Sequence, residues 1–279
     1  MKKIIAALDG LKFSENTKNY AIEIAKQTGA HLVGVFLDDF TYTSYKIYDL
    51  VIKEGVSERE MRQYNEKDKL TRHRAVLDFE NACEKAGIAY SVHHDRNIAF
   101  RELLHESIYA DLLIIDSKET LTHYEEKAPT RFIRDILAEV QCPVLLVPKK
   151  YFPPEKIIML YDGEPSSVHA IKMFSYMFPL LKEHPTEVIC AKGLYGDLHV
   201  PDNRLMKEFM KRHSPKAEFT VLKGHAEKEI VTHLKKEKEN ILIVLGAYRR
   251  GTVSRWFRQS MADVMMKELK SPLFIAHNR

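Results

Sequence analysis

Lys3-Ile-Ile-Ala-Ala-Leu-Asp-Gly10 returns as Lys156-Ile-Ile-Met-Leu-Tyr-Asp-Gly163, with five of eight positions identical at an offset of 153. A second echo pairs Cys142-Pro-Val-Leu-Leu-Val147 with Ser271-Pro-Leu-Phe-Ile-Ala276 at an offset of 129. Two matches in the same order indicate a tandem duplication. The offsets differ by 24 residues (153 − 129), which the first copy carries as an insertion. The copies meet at Lys149-Lys-Tyr-Phe-Pro-Pro154, where two prolines disfavour helix and cannot donate to a sheet ladder. The expected domains are residues 1–149, with the insertion near 40–66, and residues 155–279.

Hydrophobic periodicity fills in each copy. The first shows apolar strands at 3–9, 31–37, 89–93, 111–116 and 144–147. Between them lie a helix from Ser14 to a stop at Gly29, and one carrying Ala75, Val76, Phe79, Ala82 and Cys83 up to Gly87. Two more helices follow, at 100–109 and along the stripe Phe132, Ile133, Ile136, Leu137, Val140. The second copy repeats the pattern with strands at 156–161, 187–191, 217–222, 241–245 and 273–276. Its helices fall along Ala170, Ile171, Phe174 and Phe178, and at 203–212, 226–237 and 254–269. Apolar strands alternating with amphipathic helices imply an α/β fold, a parallel sheet with helices on both faces. In such sheets ligands bind beyond the carboxyl ends of the strands. That singles out Asp9, Asp162 and the turns after residues 116 and 245.

Composition bounds the function. The chain of 279 residues is 45% hydrophobic and 29% charged, enough for an ordinary core. A net charge of +4 is small for a nucleic-acid binder of this length. Cys83, Cys142 and Cys190 are far apart and odd in number, which points to reduced thiols rather than a disulfide framework or zinc site. No apolar run reaches the roughly 20 residues of a membrane span, and the short apolar start lacks the form of a secretion signal. The expected location is the cytoplasm, without nucleic acid or membrane as partner.

The strand-ending aspartates in Ala7-Leu8-Asp9-Gly10 and Leu160-Tyr161-Asp162-Gly163 resemble those of the universal stress protein family in its tandem form. So does the closing stretch ILIVLGAYRRGTVSRWFRQSMADVMMKELKSPLFIA, residues 241–276. The resemblance implies two tandem open five-stranded parallel sheets, of the adenine nucleotide alpha hydrolase type, pairing within the chain through their final strands. One branch of that family binds ATP with the pattern G-x-x-G-x9-G-[S/T], whose amides surround the phosphates. On that pattern the second copy places Gly246 first, Arg249 for the second glycine, Gln259 for the third and Ser260 at the hydroxyl. Asp162, Leu160, Tyr161 and Gly193 fall at nucleoside-contacting positions. In the first copy Asp116 replaces the first glycine, and Thr130 and Arg131 occupy the glycine–hydroxyl pair.

These departures have physical weight. Glycine lets backbone approach a phosphate, and arginine or glutamine does not. Asp116 would set a negative charge where a polyphosphate sits. The first copy is therefore expected not to bind. In the second, Arg249, Arg250, Arg255 and Arg258 either replace the amides with guanidinium charge or form a solvated basic helix start. Ser260-Met-Ala-Asp263 also has the form of a helix cap. Asp9 and Asp162 double as ordinary turn residues, and Tyr161 either stacks on a base or fills the slot.

Other features carry less. His93 and His94 are neighbours on a strand, so their rings should point to opposite faces and not share a metal. No GxSxG, HExxH or Walker lysine pattern occurs, and no nucleophile has an evident base. Tyr42, Tyr45, Tyr48 and Tyr64 in the insertion suit either a packed excursion or a partner or lid surface. Lys235-Lys-Glu-Lys-Glu239 reads as a solvated face, and Trp256 and Phe257 as anchors of the last helix. The function expected is that of a non-catalytic stress-response protein acting through a ligand or protein partner. An ATP or other adenine-nucleotide sensor in the second copy is the alternative, and an ATP hydrolase ranks last.

Overall fold

A computed structural model describes residues 1–37, 58–95, 99–122, 124–246 and 260–277. The chain divides into two compact units, Met1–Cys142 and Pro143–Arg279.

In the first unit, β1 (Lys3–Leu8), β2 (His31–Leu37), β3 (Tyr90–Asp95) and β4 (Leu112–Asp116) form a parallel sheet in the order β3-β2-β1-β4. Both faces are covered, so β1 and β2 read as unbroken apolar runs and are buried throughout most of their length. The helices are α1 (Glu15–Thr28), α2 (Glu58–Ala86), α3 (Ala99–Ile108) and α4 (Arg131–Glu139). Ser14 caps α1 by accepting the Thr17 N–H, and Gly29 ends it at φ 64°, a left-handed angle that glycine adopts without a Cβ penalty. Phe79 of α2 lies on Gly34 of β2, where a Cβ would come within 2.7 Å of the ring. It meets Phe36 edge to face at 6.0 Å.

In the second unit the order is β5-β10-β9-β6-β7-β8, comprising β5 (Val144–Val147), β6 (Lys156–Leu160), β7 (Thr186–Lys192), β8 (Glu218–Lys223), β9 (Ile241–Gly246) and β10 (Leu273–Ala276). All described pairings among β6 to β10 are parallel. β5, the last strand of the first sequence copy, runs antiparallel against β10, the last of the second, with Leu145 opposite Phe274. That pairing is why the compact units part at 142/143 while the sequence copies meet near 149–155. The helices are α5 (Pro165–Met177), α6 (Asn203–His213), α7 (Ala226–Leu234) and α8 (Met261–Glu268). Phe174, Phe178 and Phe274 form one aromatic cluster, with centroids 5.1 to 5.8 Å apart.

Three expectations need correction. Residues 58–66, expected within the polar insertion, belong to α2. Every described side chain from 59 to 67 is exposed, so no apolar stripe marked that end of the helix. The helix expected at 226–237 ends at Leu234, and Glu237 in the supposedly solvated run bonds to Lys156 instead. Helix α8 begins at Met261, because Ser260 is extended (φ −67°, ψ 147°) and caps it. Residues 254–259 of that expected helix, with Trp256 and Phe257, lie outside the described residues, as do Tyr42, Tyr45 and Tyr48.

Candidate functional site

The strand registers fix the equivalences between copies. Ile4 pairs with Leu112 and Ile157 with Leu242. Since Ile4 corresponds to Ile157, Asp116 and Gly246 occupy the same position, one at the end of β4 and one at the end of β9. Counting onward, Glu119 matches Arg249 and Thr130 matches Ser260. Thr130 caps α4 by accepting the Ile133 N–H at 3.2 Å, as Ser260 caps α8 by accepting the Ala262 N–H at 3.3 Å. The hydroxyl position of the first copy is therefore Thr130 and not Arg131. Arg131 is exposed on the first turn of α4.

In the first unit the carboxylates near the strand ends are met by the protein's own donors. Asp9 is 1% exposed and accepts the Leu11 and Lys12 N–H groups at 2.7 and 3.1 Å. Asp116 accepts the Lys118 N–H at 2.8 Å and the Ser14 hydroxyl at 3.1 Å. Glu119, in the turn after β4, is buried and turns its carboxylate onto the Thr120 and Leu121 N–H groups at 2.9 and 3.0 Å. The Thr130 hydroxyl donates to the Glu119 carbonyl at 2.5 Å, tying the turn to the start of α4. Burial first, and then the Asp9 charge, push the Glu119 carboxyl up to about 7. Sequence reading missed Glu119. Its only trace was the three-residue spacing from Asp116, which is the spacing of the two leading glycines in the nucleotide pattern.

The second unit differs at each of these points. Asp162 is exposed, and its Oδ1 accepts the Glu164 N–H at 3.0 Å and the Ser167 hydroxyl at 2.7 Å. Tyr161 is 4% exposed and donates its hydroxyl to the Pro201 carbonyl at 3.1 Å. The ring thus packs inside, under the segment that joins β7 to α6. Gly163, at φ 88°, lies against Pro201, where a Cβ would come within 2.8 Å. Gly193 follows β7 and has open space where its Cβ would be. Gly246 is a glycine for a local reason: a Cβ would run into the Ser166 carbonyl and come 2.8 Å from the Ser167 nitrogen. The start of α5 is packed against the end of β9 there. Arg249 and Gln259 lie outside the described residues, as do Arg250, Gly251, Arg255 and Arg258.

A different cluster sits at the amino ends of the strands. Glu187 of β7, His233 of α7 and Glu237 bring one donor atom each within 4.8 Å of one another. A cation could be held there, but the chain supplies its own. The Lys156 ammonium lies 2.8 Å from Glu187 and 3.0 Å from Glu237. Burial works against the charged Glu187, yet hydrogen bonds from Lys156 and Thr220 outweigh it and hold its carboxyl below the usual range. Lys3, the counterpart of Lys156, pairs with Glu106 of α3 at 3.2 Å, and His93 bonds to the same carboxylate at 2.5 Å. His94 instead lies beside Phe36, so the two neighbouring rings do diverge. The three cysteines are free and buried, and burial pushes the Cys83 thiol up to about 12, which makes it inert.

No family model matches the sequence. A curated relative, Universal stress protein Slr1230 of Synechocystis sp., is 22% identical over 98% of this chain and 99% of its own length. A crystal structure of a universal stress protein from Archaeoglobus fulgidus matches at a TM-score of 0.73 and 15% identity, covering 99% of this chain and 98% of that one. A candidate universal stress protein of Pseudomonas aeruginosa matches at 0.61 and 16%, covering 99% and 92%. The chain has the fold of a tandem universal stress protein, and its resemblance to that family runs in sequence and in fold over the whole of its length.

Proposed function

We propose that this is a non-catalytic stress-response protein of the universal stress type, which acts by binding, and whose first unit has given up the family's anion pocket. The Glu119 carboxylate carries this reading. It takes the turn amides that a phosphate would need, and it sits buried within reach of the Asp9 and Asp116 charges. A polyphosphate there would meet three carboxyl groups in a site of low dielectric, with the Thr120 and Leu121 amides already engaged. The serine hydroxyl in each crevice serves the turn around it: Ser14 donates to Asp116 and caps α1, and Ser167 donates to Asp162 and the Glu164 carbonyl, which supports action through binding. The test is ATP turnover by the full chain. Hydrolysis above the buffer rate that disappears in Asp162→Ala would contradict a non-catalytic role.

A second reading, that the second unit senses ATP or another adenine nucleotide, is favoured by one observation. Asp162 is open to solvent where its counterpart Asp9 is buried. A nucleotide at 100 times its dissociation constant should stabilise the fold by about 2.7 kcal/mol. Thermal unfolding with and without millimolar ATP, ADP and AMP reads this directly, and Asp162→Ala should abolish the shift.

A further inference from the structure

We propose that the outward face of α2 is a docking surface for an acidic amphipathic helix of another protein. This goes beyond the crevices and holds whether or not either takes a ligand. Asp68, Ala75, Val76, Phe79 and Cys83 define the buried side of α2. About half a turn away, at 3.6 residues per turn, Leu70 and Leu77 stand 56% and 43% exposed. They are seven residues apart and so lie on one line up the helix, the spacing at which a partner helix meets apolar side chains.

Charge flanks that line. Arg59, Arg62, Lys67 and Arg74 border the same shallow hollow as Leu70, with Glu66 as its one carboxylate. Glu66 is itself bound by Lys69 at 2.7 Å. Arg59, Lys67 and Arg74 have no ion-pair partner among the described residues. Carboxylates three or four positions away steady cations on a solvated helix; Arg59 and Lys67 have none at those spacings, and Asp78, four beyond Arg74, is bound by Lys18. Here the cations outnumber the acids and surround the exposed Leu70, with Leu77 one heptad further along the same line. A second copy of this chain does not cover it with the same face, because like charges would be pressed together. A nucleic-acid backbone would meet the cations but leave the leucines without use. An amphipathic helix with leucines on one line and glutamates beside them satisfies both features.

The test uses the full-length chain and a fluorescent peptide of about 20 residues, with leucines at heptad spacing flanked by glutamates. Fluorescence anisotropy is read at about 50 and about 500 mM NaCl. Saturable binding is expected, weakening at least about tenfold at the higher salt and in the triple variant Arg59→Glu, Lys67→Glu, Arg74→Glu. Leu70→Ala should weaken it about threefold or more. The same peptide with lysines for glutamates should bind the triple variant and not the parent. All four positions are exposed, so circular dichroism should show the helix intact. No binding by the parent, equal affinity in Leu70→Ala, or tighter binding of a single-stranded RNA of similar length would each overturn the proposal.

Discussion

Asp116 and Gly246 hold one position in two copies of a fold, and each is answered by its neighbours. In the first unit the Ser14 hydroxyl meets the Asp116 carboxylate. In the second, the backbone of Ser166 and Ser167 leaves no room for a side chain. Gly246→Ala should therefore destabilise the protein by about 1–3 kcal/mol through overpacking. A urea midpoint equal to the parent's would show that the start of α5 moves away freely. Glu119 gives a second expectation at this scale. Its folded pKa of about 7 stands above the ordinary 4.5. Between those values the folded state holds a proton that the unfolded chain has released, so stability falls as pH rises through the window. The loss is complete above the folded value. Glu119→Gln should flatten the stability profile between pH 5 and 8, relative to the parent, in urea unfolding. An unchanged slope would place the titrating proton elsewhere.

Among the elements, lysines at the starts of β1 and β6 tie strands to their surroundings, Lys3 to Glu106 of α3 and Lys156 to Glu187 of β7 and to Glu237 just beyond α7. Glu187 is a side chain 7% exposed that depends on Lys156 as its cation. Lys156→Met should cost about 2–4 kcal/mol, because it strands a buried carboxylate. Lys192→Met, at the more open pair with Asp197, should cost under about 1 kcal/mol. Equal losses in denaturant melts would mean that burial does not set the value of these pairs. Since Glu187 titrates below its ordinary range, its contribution is present above that range and fades as the solution is acidified through the folded value. Strands and caps at this scale were legible because they are local. The runs at 31–37, 144–147 and 273–276 have the bounds that apolar patterning assigns them, and Ser14 and Ser260 cap the helices their sequences suggest. The amino-terminal turns of α2 were not legible, because residues 59–67 are exposed on every side and carry no apolar stripe. Glu119 was hidden for another reason. Its role depends on Asp9 and Asp116 arriving from two separate strands, and no short-range pattern encodes that meeting.

For the whole molecule, duplication followed by divergence explains most of what the two units show. The repeated Asp-Gly after the first strand of each copy announced the fold, and the register of β4 and β9 confirms which residues correspond. One copy buries Asp9 and Glu119, while the equivalent aspartate of the other, Asp162, is exposed. The most direct check counts ATP molecules bound per chain by isothermal titration, on the parent, Asp9→Ala and Asp162→Ala. No more than one site should be found, lost in Asp162→Ala and untouched in Asp9→Ala; two sites per chain, or a site that vanishes with Asp9, would contradict a sealed first unit.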